Sequence, residues 1–386
     1  VLFFVIRKLN WPVKGLVCSN SVVLSYNAAI IDQQIPIIVA KRRLSKQQKT
    51  RIDDKHAQIN RNAKAPGKPI AQPDDNNFGE EQNGLVISHY RAQADVECAL
   101  SGDVIRCHLR ANLPHIVTGD HVVWRRGLGE QANTGIVEAI NQRTSELCRP
   151  DSYGKMKLVG ANITRAIIVI APEPEAHSNL IDRYIVVAEH LGLEVLLLVN
   201  KCDLLGDNNP TLDLLKKYQA LGYRSLAISS KNNIGMDTLK QLLSDGCSIF
   251  VGQSGVGKSS IIQTLLPAEE IKIGELSDVA RKGRHTTTHA RLYHFPDGGN
   301  CIDSPGIREF GLWHLSPDDV LHGFSEFRPF IGLCKYRNCT HINDAHCAIS
   351  KAAAAGDITP ERYKSYTYIV QSLDEVTIQG ERPQKQ

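Results

Sequence analysis

Four stretches of the chain carry residues whose types and spacing can do chemistry on a nucleotide. Gly252-Gln253-Ser254-Gly255-Val256-Gly257-Lys258-Ser259, followed by Ser260, meets every position of the pattern Gly-x-x-x-x-Gly-Lys-Ser. Its glycines let successive backbone N–H groups turn inward around phosphates, Lys258 reaches the terminal phosphates, and the Ser259 hydroxyl ligates the accompanying Mg²⁺. A Gly-rich turn with no further role is the competing reading, but it gives a Lys-Ser pair after the last glycine no packing purpose. Asn200-Lys201-Cys202-Asp203 is the second stretch. The Asp203 carboxylate accepts from guanine N1 and N2, donors that adenine does not offer, while Asn200 holds the loop and Lys201 lies along the base. Ser229-Ser230-Lys231, the third, fits a loop that supports the base; Ser in place of the usual Ala at its second position leaves the backbone N–H contact untouched. The fourth, Asp303-Ser-Pro-Gly306, fits a sensor of the γ-phosphate, with Asp303 acting on Mg²⁺ through water and the Gly306 N–H facing the phosphate.

Between the first and fourth stretches lies Thr286-Thr287-Thr288, where a switch should supply a threonine to Mg²⁺. Spacing does not decide among the three; Thr287 is favoured, and a β-prone surface loop is the bland alternative. The position after Gly306 is Ile307, which has no polar atom to orient water, so intrinsic turnover should be slow. His285 is the nearest ionisable candidate for orienting that water, against the reading in which it packs or contacts RNA.

A different chemistry is written in Cys334-x4-Cys339-x-His341-x5-Cys347. Three thiolates and one imidazole in fourteen residues suit a closed, structural Zn²⁺ site with no position left for water. His346 is a rival ligand, although it adjoins Cys347 and the two could hardly both point inward. The other seven of the ten cysteines are scattered without spacing logic and read as reduced thiols.

These motifs need elements to hold them. Arg165–Ala171, Glu194–Val199, Ser225–Ser229 and Cys247–Val251 are apolar runs of the kind buried on both faces of a sheet, and helical patterns over 179–191, 212–221, 236–243 and 259–266 alternate with them. A hairpin, 291–295 with 299–303, completes a three-layer α/β domain. An ordinary GTPase runs phosphate loop, Thr switch, Asp-x-x-Gly, Asn-Lys-x-Asp, base loop; here the last two come first, so the domain is circularly permuted. Permutation is cheap when the old termini are close and the new ones lie in exposed loops. Ahead of it, five short alternating runs between Gly84 and Ile140 predict a small barrel, an OB-fold or an SH3-like one. Trp124-Arg125-Arg126 in this barrel either contacts RNA or packs a tryptophan edge on its own core. The expected organisation is therefore multidomain: an extension over 1–83, an OB-fold over 84–150, a permuted P-loop GTPase domain over 151–325, and a mainly helical zinc-binding domain over 326–386, with a helix over 358–376.

Composition bounds the rest. A chain of 386 residues, 42% hydrophobic and 22% charged, is an ordinary globular protein of two to three domains. Its net charge of +4 does not by itself announce a nucleic-acid partner. The densest basic segment runs from Lys41 to Lys64, with nine Lys or Arg against two Asp, and fits either phosphate contact or a solvated tail. Residues 41–83 as a whole bury too little to fold alone, and residues 1–40 read as a poorly ordered or spurious extension. The uncharged run from Gly15 to Ile31 is too short and too polar for a membrane span.

With these residues in view the chain resembles the bacterial ribosome-small-subunit-dependent GTPase A family over about residues 41–386. The resemblance rests on the permuted order, the barrel, Gly-Gln-Ser-Gly-Val-Gly-Lys-Ser and the Cys, Cys, His, Cys finger. It implies a cytoplasmic, monomeric factor that binds the small ribosomal subunit and its rRNA late in maturation, hydrolyses GTP with Mg²⁺ under stimulation by the particle, and leaves. The alternative is a GTP-gated RNA-binding regulator that does not act on ribosomes.

Overall fold

The computed structural model describes residues 77–150, 155–206, 209–266, 290–303, 312, 315–342 and 344–380, with side chains of the last helix as far as Leu373. Residues 1–40, the basic segment 41–64, His285, Thr286–Thr288, Gly306 and Ile307 lie outside the described residues.

The first five strands are β1 (Phe78–Tyr90), β2 (Gln93–Cys98), β3 (Val104–Leu109), β4 (His121–Gly127) and β5 (Thr134–Ile140). Strand β1 pairs antiparallel with both β2 and β4, and β3 pairs parallel with β5, so the ring closes in the order β1-β2-β3-β5-β4-β1. This five-stranded Greek-key order is that of an OB-fold. Alternate residues of each strand, among them Val86, Val96, Cys107, Val122 and Val137, fill the barrel around Trp124, which is fully buried. Gly84 and Gly135 make room for that indole, because a Cβ on either would meet it within 3 Å. The strand's two arginines are held within the protein. Arg125 donates to the carbonyls of Gly79 (2.7 Å) and Phe78 (3.1 Å), and Arg126 to that of Ala132 (3.0 Å) and to Asp103 (3.3 Å). The Trp124 edge packs on the barrel's own core.

Two segments differ from the sequence expectation. Strand β1 begins at Phe78, six residues ahead of Gly84, in a polar stretch without alternation; there the ladder to β4 supplies the order that apolar patterning lacks, and Phe78 is buried at its start. Residues on both sides of 150/151 form a hairpin, β6 (Glu146–Pro150) with β7 (Met156–Ala161), so the expected domain boundary falls inside one supersecondary unit.

The α/β domain comprises β8 (Arg165–Ile170), α1 (Ser178–Leu191), β9 (Glu194–Val199), α2 (Pro210–Ala220), β10 (Arg224–Ala227), α3 (Met236–Leu242), β11 (Cys247–Val251), α4 (Lys258–Leu265), β12 (Arg291–His294) and β13 (Asn300–Asp303). Its strand order is β10-β9-β8-β11-β13-β12, parallel except for β12. The pleat divides the buried strand residues cleanly. Ile168, Ile170, Leu197, Val199, Ile249 and Val251 face one core with Ile181, Ile185 and Tyr184 of α1 and Leu215 and Tyr218 of α2. Ile167, Val169, Leu196, Leu198 and Phe250 face the other, with Met236 and Leu239 of α3 and Ile261, Ile262 and Leu265 of α4. Strand β12 meets β1 at Arg291 and Ser88, and Thr118 donates to the Ala290 carbonyl (2.9 Å), joining barrel and sheet.

After the sheet come α5 (Pro317–Gly323), a 3₁₀ turn (Ser325–Phe330), α6 (Ala348–Ala355) and α7 (Pro360–Gly380). Phe324, Phe327, Tyr366 and Ile369 continue the α1 face of the core, so this C-terminal unit packs on α1 and not on the opposite face of the sheet. Among the described residues no helix is long and apolar enough to cross a membrane.

Candidate nucleotide site and metal cluster

The four nucleotide motifs sit at the carboxyl ends of parallel or sheet-edge strands: Asn200 after β9, Ser229 beyond β10, Gly252 after β11, and Asp303 as the last residue of β13. Carboxyl ends of the strands are where open α/β sheets bind ligands.

The phosphate loop is shaped by its glycines. Gly252 has φ +142° and its missing Cβ would lie 2.2 Å from the Val169 carbonyl oxygen; Gly257 has φ +94° and a Cβ there would lie 2.3 Å from Asn200 Nδ2. Neither position admits a side chain. Lys258, only 9% exposed, donates to the carbonyls of Gly252 (2.7 Å) and Gln253 (2.8 Å) and opens helix α4, whose free N–H groups carry partial positive charge. Val256 is buried against the sheet, Ser259 is half-buried, and Ser254, Gly255 and Ser260 are exposed along the rim.

Asn200 joins three of the motifs. Its Nδ2 donates to the Val256 carbonyl (2.9 Å), its Oδ1 accepts from the Ser230 N–H (3.2 Å), and the residue is 1% exposed. Stretches separated by 30 and 56 residues are thus held on one buried amide. Lys201 is in the left-handed region (φ 59°) and donates to the Glu173 carbonyl (2.7 Å). Cys202 N–H donates to the Ile228 carbonyl (3.0 Å), and burial together with the Asp203 charge raises its thiol pKa. Asp203 is exposed within the short 3₁₀ turn that follows. The buried Ser229 hydroxyl accepts from Asn232 N–H (3.2 Å), closing the base loop, and Lys231 is exposed on it. Asp303 stands opposite Arg291 on the β12–β13 ladder.

One residue at this site carries no motif. Tyr184 of α1 is 6% exposed and lines a small cavity with Gly252, Gln253 and Val256, and burial raises the pKa of its phenol. Its only sequence signal is a tyrosine in the apolar stripe of a helix, where the phenol oxygen must find a partner.

The metal cluster brings Cys334, Cys339, His341 and Cys347 together, every ligand atom within 4.8 Å of the others. Cys334 Sγ lies 3.9 Å from Cys347 Sγ, and His341 Nδ1 lies 3.4 and 3.5 Å from those two sulfurs. A tetrahedral ion with Zn–S arms of about 2.3 Å requires edges of about 3.8 Å between sulfurs and slightly less to nitrogen, which these distances match. Backbone N–H groups support the sulfurs: Ala348 donates to Cys334 (3.3 Å) and Ser350 to Cys347 (3.4 Å), which caps α6. Tyr363 donates to the His341 carbonyl (2.9 Å), fixing the loop to α7. His346 is not among the four. Elsewhere burial pushes the Cys107 and Cys247 thiols up to about 12, as befits packing residues.

A family model described as RsgA GTPase matches residues 140–313. The small ribosomal subunit biogenesis GTPase RsgA of Saccharophagus degradans is 50% identical over 353 residues, covering 89% of this chain and 100% of its own. The chain belongs to the RsgA GTPase family. The RsgA of Pseudomonas aeruginosa is 48% identical over 340 residues, with 87% and 99% covered. Among solved structures, YjeQ from Thermotoga maritima has a TM-score of 0.63 at 28% identity, over 76% of this chain and 99% of its own. YloQ, a circularly permuted GTPase, has a TM-score of 0.60 at 23% identity, over 82% and 100%, and shares the fold. RsgA GTPases hydrolyse GTP, which is handled with Mg²⁺.

Proposed function

We propose that this chain hydrolyses GTP on the small ribosomal subunit, assisting the subunit's late maturation and leaving it after hydrolysis. The observation that carries the reading is Asn200, whose amide ties the phosphate loop to the base loop, so that the permuted order in sequence converges on one nucleotide site. The names of the relatives, which are biogenesis GTPases of the small ribosomal subunit, supply the particle.

In this reading Asp203 accepts from guanine N1 and N2, Lys201 lies along the base, and the Ser229-Ser230-Lys231 loop supports it. The N–H groups from Gln253 to Ser260 cradle the phosphates. Lys258 exchanges loop carbonyls for terminal phosphate oxygens, and Ser259, with Asp303 through water and Thr287, holds Mg²⁺. Gly306 senses the γ-phosphate, and His285 orders the attacking water. Ile307 leaves the free enzyme slow, and docking on the particle completes the site. Zinc bound by Cys334, Cys339, His341 and Cys347 is structural and fixes the loop that joins α5 to α6. The protein acts in the cytoplasm as a monomer and contacts rRNA.

Guanine selection tests the base assignment. Asp203→Asn should weaken GTP binding by about 1 to 3 kcal/mol in a nucleotide titration, since an amide cannot accept from both guanine donors. Unchanged GTP affinity would contradict the role of Asp203.

A further inference from the structure

Asp303 ends a strand that the barrel helps to hold. Strand β13 runs parallel to β11, so Asp303 reaches the same sheet edge as the phosphate loop that follows β11. The ladder to β11 covers Asn300 and Cys301, whereas Ile302 and Asp303 stand opposite Leu292 and Arg291 of β12. Strand β12 is four residues long and lies at the end of the α/β sheet, where a short strand is readily lost unless its outer edge is covered. The barrel covers it. Ser88, 2% exposed, pairs with Arg291, and the equally buried Thr118 donates from Oγ1 to the Ala290 carbonyl (2.9 Å). Glu97 of β2 accepts from His294 Nε2 (2.9 Å), and the Nδ1 of that ring lies 2.6 Å from Asn300 Oδ1 of β13. Gly119 (φ +90°) comes so near β13 that a Cβ on it would lie 3.0 Å from Ile302 Cδ1. The loop that carries Thr118 and Gly119 is braced: buried Asp120 accepts from the Val117 N–H (2.8 Å) and from Arg143 (2.9 Å), and Gly119 N–H donates to the Val86 carbonyl (2.9 Å). A register shift in β1 between Val86 and Ser88 turns Ile87 out of the barrel core and into the core that holds Leu292 and Ile302.

We infer that the barrel is a working part of the nucleotide site: Thr118 and Glu97 are positioning residues that seat the β12–β13 hairpin and, through it, the Asp303 carboxylate that acts on Mg²⁺. A carboxylate that reaches the ion through water works over a narrow range of positions, because Mg²⁺ demands near-ideal octahedral geometry. Loss of either barrel contact lets the hairpin drift and weakens the hold on Mg²⁺. The base loop and the phosphate loop are tied to one another by Asn200 and stay in place. The signature is therefore a weaker response to Mg²⁺ with Mg²⁺-free nucleotide binding unchanged.

The inference rests on reading Asp303 as the carboxylate that acts on Mg²⁺, and the test separates the two. In the full-length, zinc-loaded protein, affinity for a non-hydrolysable GTP analogue is measured across a Mg²⁺ titration that starts from Mg²⁺-free buffer, with melting temperature recorded alongside. The variants are Asp303→Asn, Thr118→Val, Thr118→Ser, Glu97→Ala, and each barrel change combined with Asp303→Asn. Asp303→Asn should raise the Mg²⁺ concentration at the midpoint about tenfold or more, as loss of a charged acceptor implies; a wild-type midpoint there sinks the Mg²⁺ role of Asp303 itself. Thr118→Val and Glu97→Ala should each raise the midpoint roughly two- to tenfold, the range for one lost hydrogen bond, with Mg²⁺-free affinity unchanged. Thr118→Ser, which keeps the hydroxyl, should behave as the wild type. Glu97, its side chain 23% exposed, supplies a variant that does not depend on the buried Thr118 tolerating valine. Added to Asp303→Asn, the barrel changes should have no further effect, because they act through that carboxylate. Wild-type midpoints in both barrel variants beside a shifted midpoint in Asp303→Asn overturn the positioning role, as do a lowered melting temperature with an unchanged Mg²⁺ response, or barrel effects that multiply with Asp303→Asn.

Discussion

At the scale of the residue, the site uses side chains that cannot be exchanged for near neighbours. Gly257 is a case in point: any Cβ there would press on the Asn200 amide that unites the base and phosphate loops. In the proposed mechanism the attacking water is ordered by His285. His285→Ala should leave GTP binding intact and lower subunit-stimulated turnover by roughly 100-fold, the usual contribution of a general base or water-orienting group. Single-turnover hydrolysis on saturating small subunits measures it, and wild-type rates in the variant would move the role to rRNA or a ribosomal protein. For the metal, Cys339→Ser should release zinc, because three ligands leave a tetrahedral site open and weak. Full zinc occupancy by metal analysis would take Cys339 out of the ligand set. The loops that Asn200 joins and the four cluster residues that lie together were legible in the sequence, because each depends on short local spacing. Tyr184 was not, since its place beside Gly252 in a small cavity depends on which residue α1 turns toward the loop.

At the scale of the element, legibility followed periodicity. The buried strands and α1 stand within a residue or two of their apolar runs, because both faces of β8, β9 and β11 lie against helices. The C-terminal helices α5 and α6 carry little periodicity, although Ser316-Pro317-Asp318-Asp319 holds a cap signal: Ser316 Oγ accepts from Asp319 N–H (3.2 Å) and Asp319 accepts from Ser316 N–H (2.9 Å). Their apolar stripes are short, and Phe324 and Phe327 beyond α5 do the packing instead. The hydrogen bond from His190, then the Ser316 contacts, hold the Asp319 carboxyl well below the ordinary carboxylate range, against the opposing effect of burial. A depressed carboxylate stabilises the fold above its unfolded pKa of about 4 and loses that contribution as pH falls toward the folded value. Asp319→Asn should therefore lower the melting temperature at pH 7, and the gap to the wild type should narrow when both are measured near pH 3.5. A gap that stays constant with pH would show that the charge of Asp319 contributes nothing.

At the scale of the whole molecule, a barrel, a permuted sheet and a helical unit share contacts that sequence patterning does not reveal. Strand β1 belongs to the barrel and meets β12 of the sheet, while the α1 face of the sheet and the C-terminal helices form one core. Motif order announced the permutation, and its consequence is spatial: the segment after Asp303 leads from the nucleotide site into the unit that carries the metal cluster. In the proposed function such wiring lets a partner that touches several units at once release a slow intrinsic turnover. The most direct test is steady-state GTP hydrolysis by the purified, zinc-loaded protein as small ribosomal subunits are titrated in, with large subunits as the control. A low basal rate that rises saturably with small subunits and not with large ones is the predicted result; a rate indifferent to small subunits would contradict the account.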